Sequence, residues 1–214
     1  MFSGIVETYS PLLKLEEGSH IIQIHIQRPK DFDDLKVGDS IAVNGVCLTL
    51  ESFDEDSLQF ALAPETLRVT GWNLEKLKSF PRWTFNLERS LRFGDRIHGH
   101  LVSGHVDGVG AVAEIEAQGE ALEVRVTFPL SLKPLLWKKG SVAVNGVSLT
   151  INQVGERPDG SGWFSLCLIP ETLRRTNLSE LQTGDSVTLE ADSMARAMRH
   201  WMDTRTYEER NSEL

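Results

Sequence analysis

At 214 residues the chain has room for two compact domains of about 100 residues each, a size at which a single hydrophobic core is normally sufficient. Its 40% hydrophobic and 25% charged residues are ordinary for a soluble protein, and no apolar run is long enough for a membrane-spanning helix. A formal charge of -9 argues against a nucleic-acid backbone as the main partner, because that interaction needs clustered Lys and Arg to release counterions; a neutral or weakly anionic small molecule fits better.

At the amino terminus Met1-Phe2-Ser3-Gly4 lacks a basic region followed by an apolar one, so no secretory signal is expected and the chain reads as cytoplasmic. Two cysteines, Cys47 and Cys167, are too few for a disulfide framework. Residues 3–9 and 20–27 are predicted strands; in the second, Ile22, Ile24 and Ile26 alternate with Gln23, His25 and Gln27 as a half-buried strand requires. Pro29 ends it, residues 31–35 read as one helical turn, and Val37-Gly38-Asp39-Ser40 is a turn. Strands 41–43 and 46–53 then flank Asn44-Gly45, the strongest short hairpin signal because both residues tolerate positive φ. A strand over 58–62, a helix start at 64–67 with Pro in its first turn, a short turn at 73–77 and a strand over 84–88 complete this half.

The same series then returns. Residues 101–112, 122–128, 142–144, 147–154, 163–169 and 186–191 are predicted strands, 131–137 a short helix, and Asn145-Gly146 and Gly184-Asp185 turns. Roughly six short strands per half, with turn signals about every 8 to 12 residues, predict an antiparallel barrel, which hides the edges of such short strands. No βα alternation is present, and Gly108-Val109-Gly110 is not followed by a helical pattern, so neither a Rossmann sheet nor a dinucleotide fingerprint is expected. From Ser193 to about Tyr207 a terminal helix carries Met194, Met198, Trp201 and Met202 on one face; it either packs on its own barrels or joins a bundle between subunits. Residues 208–214 are expected to fray.

The two halves are copies. Val43-Asn44-Gly45-Val46-Cys47-Leu48-Thr49 recurs 101 residues later as Val144-Asn145-Gly146-Val147-Ser148-Leu149-Thr150, with Cys47 against Ser148 as the one chemical difference. Phe2-Ser3-Gly4-Ile5-Val6-Glu7 matches Val102-Ser103-Gly104-His105-Val106-Asp107, and Pro64-Glu65-Thr66-Leu67-Arg68 repeats letter for letter from Pro170 to Arg174. The order and spacing make this a tandem duplication of a small domain rather than a solenoid. Two copies of one loop suggest two similar sites for two similar ligands. Cys47 with Thr49, and Ser148 with Thr150, share one side of their strands and offer hydrogen bonds to a planar heterocycle, although β-propensity alone also accounts for the threonines.

The copies are unequal at Cys47/Ser148 and at Ile5/His105, and inequality is what a reaction between two like molecules requires. Glu65 and Glu171 read either as helix-capping carboxylates or as ligand contacts at a pocket rim. Lys139, where the first half has Gly38, is either solvated or a ligand contact. His98 and His100 would face one way on a strand but lack a matching ligand set, so no metal site is expected.

Together the amino-terminal Met-Phe-Ser-Gly-Ile-Val-Glu, the Asn-Gly-Val-Cys-Leu-Thr loop, Gly99-His100-Leu101-Val102-Ser103-Gly104-His105-Val106-Asp107 and the two Pro-Glu-Thr-Leu-Arg corners resemble the riboflavin synthases of the α-chain type, over residues 1 to about 192. The resemblance implies an all-β fold: two tandem, pseudo-symmetric six-stranded antiparallel Greek-key β-barrels, over 1–100 and 101–192, and a C-terminal α-helix at 193–214 that assembles a homotrimer. It also implies active sites between the first barrel of one subunit and the second of its neighbour. The implied reaction is a dismutation of two molecules of 6,7-dimethyl-8-ribityllumazine to riboflavin and a ribitylamino-pyrimidinedione, with no external cofactor. By resemblance Gly4, Ile5, Val6, Cys47, Leu48, Thr49, Ala61, Leu62, Ala63, Pro64, Glu65 and Thr66 hold one pteridine. Gly104, His105, Val106, Lys139, Ser148, Leu149, Thr150, Cys167, Leu168, Ile169, Pro170, Glu171 and Thr172 hold the other. His105 with Ser148 would move a proton at one ring, Cys47 with Ser40 would assist nucleophilic addition at the other, and Asp192 would orient groups at the second site. Two alternatives stand beside this reading: a non-catalytic lumazine- or flavin-binding antenna, and a generic oligosaccharide- or oligonucleotide-binding barrel pair, which 7% aromatic residues and the negative charge do not support. Association with a lumazine synthase shell is left open. The sequence departs from the family's usual pattern where Phe80-Pro81-Arg82-Trp83 stands in place of a Gly-Asp turn, which leaves the local strand register open.

Overall fold

The structure, a computed structural model, describes residues 1–18, 21–79 and 83–212; the expectations for His20, Phe80-Pro81-Arg82 and Glu213-Leu214 lie outside the described residues. In the first half β1 (Thr8–Glu17), β2 (Ile22–Gln27), β3 (Ser40–Val43), β4 (Val46–Phe53), β5 (Ser57–Leu62) and β6 (Thr84–Arg89) close into a barrel in the order β1-β2-β5-β4-β3-β6. The period-2 pattern explains the closure: Ile22, Ile24 and Ile26 of β2 and Leu58, Phe60 and Leu62 of β5 all turn inward and are buried. Burying each such side chain stabilises the fold by roughly 1.5–3 kcal/mol. Helix α1 (Pro64–Thr70) begins on its proline and stops at Gly71, whose φ of 65° ends the helical path. Helix α2 (Leu74–Ser79) stands where only a short turn was expected. Residues 31–35 are a turn rather than helical, with Phe32 and Leu35 buried beside the exposed Asp31, Asp33 and Asp34, whose side chains disfavour a helix interior.

The second half forms a curled sheet of seven strands: β7 (Gly108–Gln118), β8 (Ala121–Phe128), β9 (Ser141–Val144), β10 (Val147–Thr150), β11 (Gln153–Glu156), β12 (Gly162–Leu168) and β13 (Ser186–Ala191), ordered β10-β9-β13-β7-β8-β12-β11. The strand expected over 147–154 is therefore two. It breaks at Ile151-Asn152, where the Ile151 amide donates to the Gly140 carbonyl at 2.9 Å and the Asn152 amide to the Ser165 carbonyl at 2.8 Å. The first barrel has a bulge at the matching place, between Leu50 and Ser52, but keeps its strand whole. A 3-10 helix at Leu130–Leu135 and helix α3 (Pro170–Arg175) fall close to their expected positions. Register at β6 matches β13: Leu87 lies opposite Val43 as Leu189 lies opposite Val144.

The halves meet about a pseudo-twofold axis at the two Asn-Gly turns. Asn44 and Asn145 have φ of 44° and 46°, as the hairpin reading requires, and a Cβ on Gly45 would stand 2.6 Å from the Gly146 amide nitrogen. The asparagines also dock the barrels. Asn44 Oδ1 accepts from the Asn86 amide at 2.8 Å and Asn145 Oδ1 from the Thr188 amide at 2.9 Å. Across the interface Asn86 Nδ2 donates to the Asn145 carbonyl at 2.9 Å and Thr188 Oγ1 to the Asn44 carbonyl at 2.6 Å. Beside this network Phe2, Ala42, Val102 and Ala143 form a small apolar core of their own.

Helix α4 (Ser193–Ser212) extends past the expected end near Tyr207. Met194, Met198, Trp201 and Met202 are 57% to 65% exposed, so of the two readings of that face full packing on the chain's own barrels is not the one realised. No helix among the described residues is long and apolar enough to cross a membrane.

Candidate active site

Each barrel carries its candidate residues on the outside. In the β3-β4 hairpin Ser40 pairs with Thr49 and Ala42 with Cys47, so Ser40, Cys47 and Thr49 share the face opposite buried Leu48 and Leu50. Ala61 on β5 faces outward for the same reason, between buried Phe60 and Leu62. In the second half Ser141 pairs with Thr150 and Ala143 with Ser148, and Cys167 is exposed between buried Leu166 and Leu168. Both cysteines are free. Val6, Leu48, Leu62 and Leu168 are core residues whose side chains serve the barrels, so only their backbones can face a ligand; Leu149 is partly buried. Ser141 escaped the sequence reading, although Ser141-Val142-Ala143-Val144 extends the repeat of Ser40-Ile41-Ala42-Val43 by simple continuation.

The two halves exchange the segments that precede their first strands. Pairing in β1 starts at Thr8 and in β7 at Gly108, later than the expected starts at 3 and 101, because the preceding residues cross to the other half. The Ser148 amide donates to the Gly4 carbonyl at 2.7 Å, and the Cys47 amide to the Gly104 carbonyl at 2.9 Å. Val6 lies in the core of the second half, and Val106 packs against the core of the first. The expected groupings are therefore crossed: Gly4, Ile5 and Val6 belong with Ser148, and Gly104, His105 and Val106 with Cys47. The pairing of His105 with Ser148 is replaced accordingly. Glycine is required at both crossings. Gly4 (φ 71°) and Gly104 (φ 81°) would carry a Cβ 2.6 Å from Ser148 Cβ and 2.5 Å from Cys47 Cβ.

A buried carboxylate fastens each crossing segment. Glu88 accepts from the Ser3 amide at 2.7 Å, the Ser3 hydroxyl at 2.9 Å and the Gly4 amide at 3.0 Å. Glu190 does the same for the Ser103 amide, the Ser103 hydroxyl and the Gly104 amide at 2.7, 2.6 and 2.9 Å. Their charges are handled differently. Arg196 of α4 reaches Glu190 at 3.1 Å, while Arg89, next to Glu88 in sequence, turns instead to Glu7 and Asp34. Burial pushes the Glu88 carboxyl up to about 6, against the opposing bonds from Ser3 and Gly4 and with the help of nearby Glu7.

The serine half has an imidazole. His100 Nδ1 lies 2.6 Å from Ser148 Oγ, and the His100 amide donates to the Ser3 carbonyl at 3.1 Å. Burial lowers the pKa of His100, with Asp192 and Glu190 opposing, so the ring is biased to the neutral form that can take a hydroxyl proton. Gly99 makes this approach feasible, since a Cβ there would lie 2.8 Å from Ser148 Oγ. No described histidine is hydrogen-bonded to the Cys47 thiol. His100 was legible only as one of a histidine pair; its serine partner is 48 residues away in sequence.

The corner residues are exposed or nearly so. Ala63 and Ile169 precede α1 and α3 without a capping side-chain bond, Pro64 and Pro170 open the helices, and Thr66 and Thr172 are partly buried. The capping reading of the glutamates gives way to ion pairs: Glu65 with Arg68, and Glu171 with Arg174 and Arg175, whose bonds hold both carboxyls below the usual range. Asp192 accepts from the Met194 amide at 2.8 Å and caps α4. Lys139 adopts φ 69° where Gly38 has 96°, a conformation a lysine rarely takes without external reason. A cleft of about 1030 Å³ on the first half is lined by Ile5, Ser40, Glu88 and His98 among others, but by neither Cys47 nor Ser148. Among the described residues no group of three or more His, Cys, Asp and Glu is placed to hold a metal.

The chain matches the family model described as the lumazine binding domain twice, at residues 3–90 and 103–192. It is 36% identical to riboflavin synthase of Bacillus subtilis (strain 168) over 199 residues, covering 92% of this chain and 88% of that protein. It is 35% identical to riboflavin synthase of Photobacterium leiognathi over 209 residues, covering 97% and 92%. Among solved structures, LumP complexed with 6,7-dimethyl-8-(1'-D-ribityl) lumazine superposes with a TM-score of 0.76 at 23% identity, over 89% of this chain and 99% of that one. LumP complexed with flavin mononucleotide gives 0.74 at 23% identity, over the same shares, a likeness of fold.

Proposed function

The chain belongs to the lumazine-binding domain family and carries riboflavin synthase function; from that premise we propose a transferase in which two molecules of 6,7-dimethyl-8-ribityllumazine meet and one gives a four-carbon unit to the other. The products are riboflavin and 5-amino-6-(D-ribitylamino)uracil, and no external oxidant or reductant enters. The observation that carries this reading is the pair of matched outer faces, each crossed by the other half's Ser-Gly segment, one offering a thiol and the other a hydroxyl beside an imidazole.

Ser40, Cys47, Thr49 and Ala61 with the crossing residues Gly104, His105 and Val106 take one pteridine. Ser148, Thr150, Cys167 and Lys139 with Gly4, Ile5 and Val6 take the other. The corner residues from Ala63 to Thr66, including Pro64 and Glu65, and from Ile169 to Thr172, including Pro170 and Glu171, edge the two pockets. Ser148 with His100 moves the proton of an acidic ring methyl, and Cys47 assists addition to the opposite ring. Holding the rings face to face can contribute about 7–11 kcal/mol in favourable cases. Faces on the barrel exterior need a cover, which supports a site completed by a second subunit. The largely exposed Met194, Met198 and Trp201 support a homotrimer built on 193–214, with 1–100 and 101–192 as the binding units. A cytoplasmic location fits the substrate chemistry.

The antenna reading is not favoured, because both halves keep the loop and corner residues. Mixing the purified chain with the lumazine decides the matter: riboflavin fluorescence should rise, with two lumazines consumed per riboflavin, whereas a bound chromophore without turnover would sink the enzyme assignment. Undiminished rates in both Cys47→Ser and His105→Gln would remove those two residues from the chemistry.

A further inference from the structure

Arg196 sits in the first turn of α4, where the helix dipole disfavours a cation, so its position calls for another cause. Its side chain turns back onto the segment that crosses the first barrel. It donates to the His105 carbonyl at 3.3 Å, Asp107 Oδ1 at 3.1 Å, the Ser103 hydroxyl at 3.4 Å and Glu190 Oε1 at 3.1 Å. The two carboxylates are largely shielded, their side chains 15% and 2% exposed. The same five residues, 103–107, press on Cys47 through the Gly104 carbonyl and carry His105. In the matching segment the cation, Arg89, reaches Glu7, the counterpart of Asp107, and among the described residues Glu88 at Ser3-Gly4 has no ion pair of its own.

We propose that Arg196 is a positioning residue, a fork that locks residues 103–107 over Cys47 and so ties the terminal helix to the half of the site that carries His105. This deepens the synthase reading and rests on its assignment of Cys47 and His105. A planar guanidinium suits the task because it spreads its donors over several acceptors in one plane, which an ammonium cannot do. The ionisable groups around it are Glu190 from β13, Asp107 and His105 from the crossing segment, Asp192 at the start of α4, and His100. Burial pushes the Asp107 carboxyl up, while the Ala191 amide and Arg196 pull it down. Without Arg196, Asp107 would protonate at higher pH, and the segment would loosen from the acid side first.

Arg196→Met, Arg196→Lys and the control Arg199→Met, whose arginine pairs among the described residues with Asp203 one turn along, separate this from a general helix effect. The measurements are kcat and KM across pH 6 to 9 and amide hydrogen exchange at Ser103 and Gly104, in the full chain. Arg196→Met should lower kcat about ten-fold near neutrality with much less change in KM, move the acid limb of kcat upward in pH, and speed exchange at both amides about ten-fold. Arg196→Lys should keep the wild-type pH limb with an intermediate kcat, and Arg199→Met should match wild type. An Arg196→Met protein with wild-type kcat, pH limb and exchange would overturn the proposal, as would equal losses in Arg199→Met. If Arg196→Met does not fold, Arg196→Lys decides: wild-type kcat and exchange together would overturn it. The exchange readout needs no turnover, so a wild-type chain that fails to make riboflavin sinks the synthase reading and leaves this comparison intact.

Discussion

Among the described residues, the carboxylate that fastens the first half's crossing segment, Glu88, makes no ion pair, and no imidazole is hydrogen-bonded to the Cys47 thiol. In the second half Glu190 has Arg196 and Ser148 has His100. The fastening of the crossing segment is shared, down to the three donors each glutamate receives, while the side chains around it are not. Duplication supplied two like cradles, and a handful of later differences set an imidazole beside the serine of one. A thiol ionises more readily than a hydroxyl, so the serine is the group that needs a neighbouring base.

The comparison breaks first at the glycines. Gly4→Ala and Gly104→Ala each force a Cβ against the other half at positive φ, and each should cost about 2–4 kcal/mol in urea unfolding; a loss under about 1 kcal/mol in both would show that the crossing is not tight. Next comes the chemistry. His100→Gln keeps a polar group beside Ser148 but removes the base, and kcat should fall about 100-fold, or about 2.7 kcal/mol. Cys47→Ser should cost less, about ten-fold, because no described imidazole serves that position and only intrinsic nucleophilicity is lost. Equal losses in steady-state fluorescence assays would erase the claimed division of labour.

The carboxylates differ by a smaller amount. Glu88 is raised in the fold from 4.5 to about 6, so the native state holds its proton more tightly than the unfolded chain does. Its contribution to stability is full below about pH 4.5 and is lost as pH rises through about 6, up to about 2 kcal/mol in all. Chemical denaturation between pH 4.5 and 7 should show this slope in wild type and a flatter one in Glu88→Gln; parallel slopes would remove Glu88 as its source. Smallest is the turn. Lys139→Gly should relieve the positive φ and stabilise by about 0.5–1 kcal/mol, whereas Gly38→Ala should destabilise by a similar amount. If Lys139→Gly also raises KM, the lysine touches the ligand.

Much of this molecule is legible from residues alone. The echo of seven residues around Asn44 and Asn145 marks two domains and their hairpins, and alternation at Ile22, Ile24 and Ile26 assigns the barrel wall to its inner face. The outward face of Cys47 and Thr49 follows from the same alternation. The break at Ile151-Asn152 was not legible, since apolar continuity there reads as one strand. Nor was the role of Glu190, which appears in sequence as an ordinary charged residue near the end of a strand and proves to be 2% exposed with three donors and an arginine around it.

Strand period, turn chemistry and the repeat are local properties, carried by neighbours in the chain, and so the sequence by itself determined the two like halves, their hairpins and the terminal helix. Which Ser-Gly segment lies over Cys47 and which over Ser148 was decided only in three dimensions, as were the histidine that meets Ser148 and the cation that meets Glu190. The crossings and the histidine depend on contacts between residues 48 to 144 positions apart, from Ser148 with His100 to Ser148 with Gly4, for which no local preference exists. The docking of one barrel on the other, through bonds such as Asn86 to the Asn145 carbonyl and Thr188 to the Asn44 carbonyl at the axis, is what brings them together.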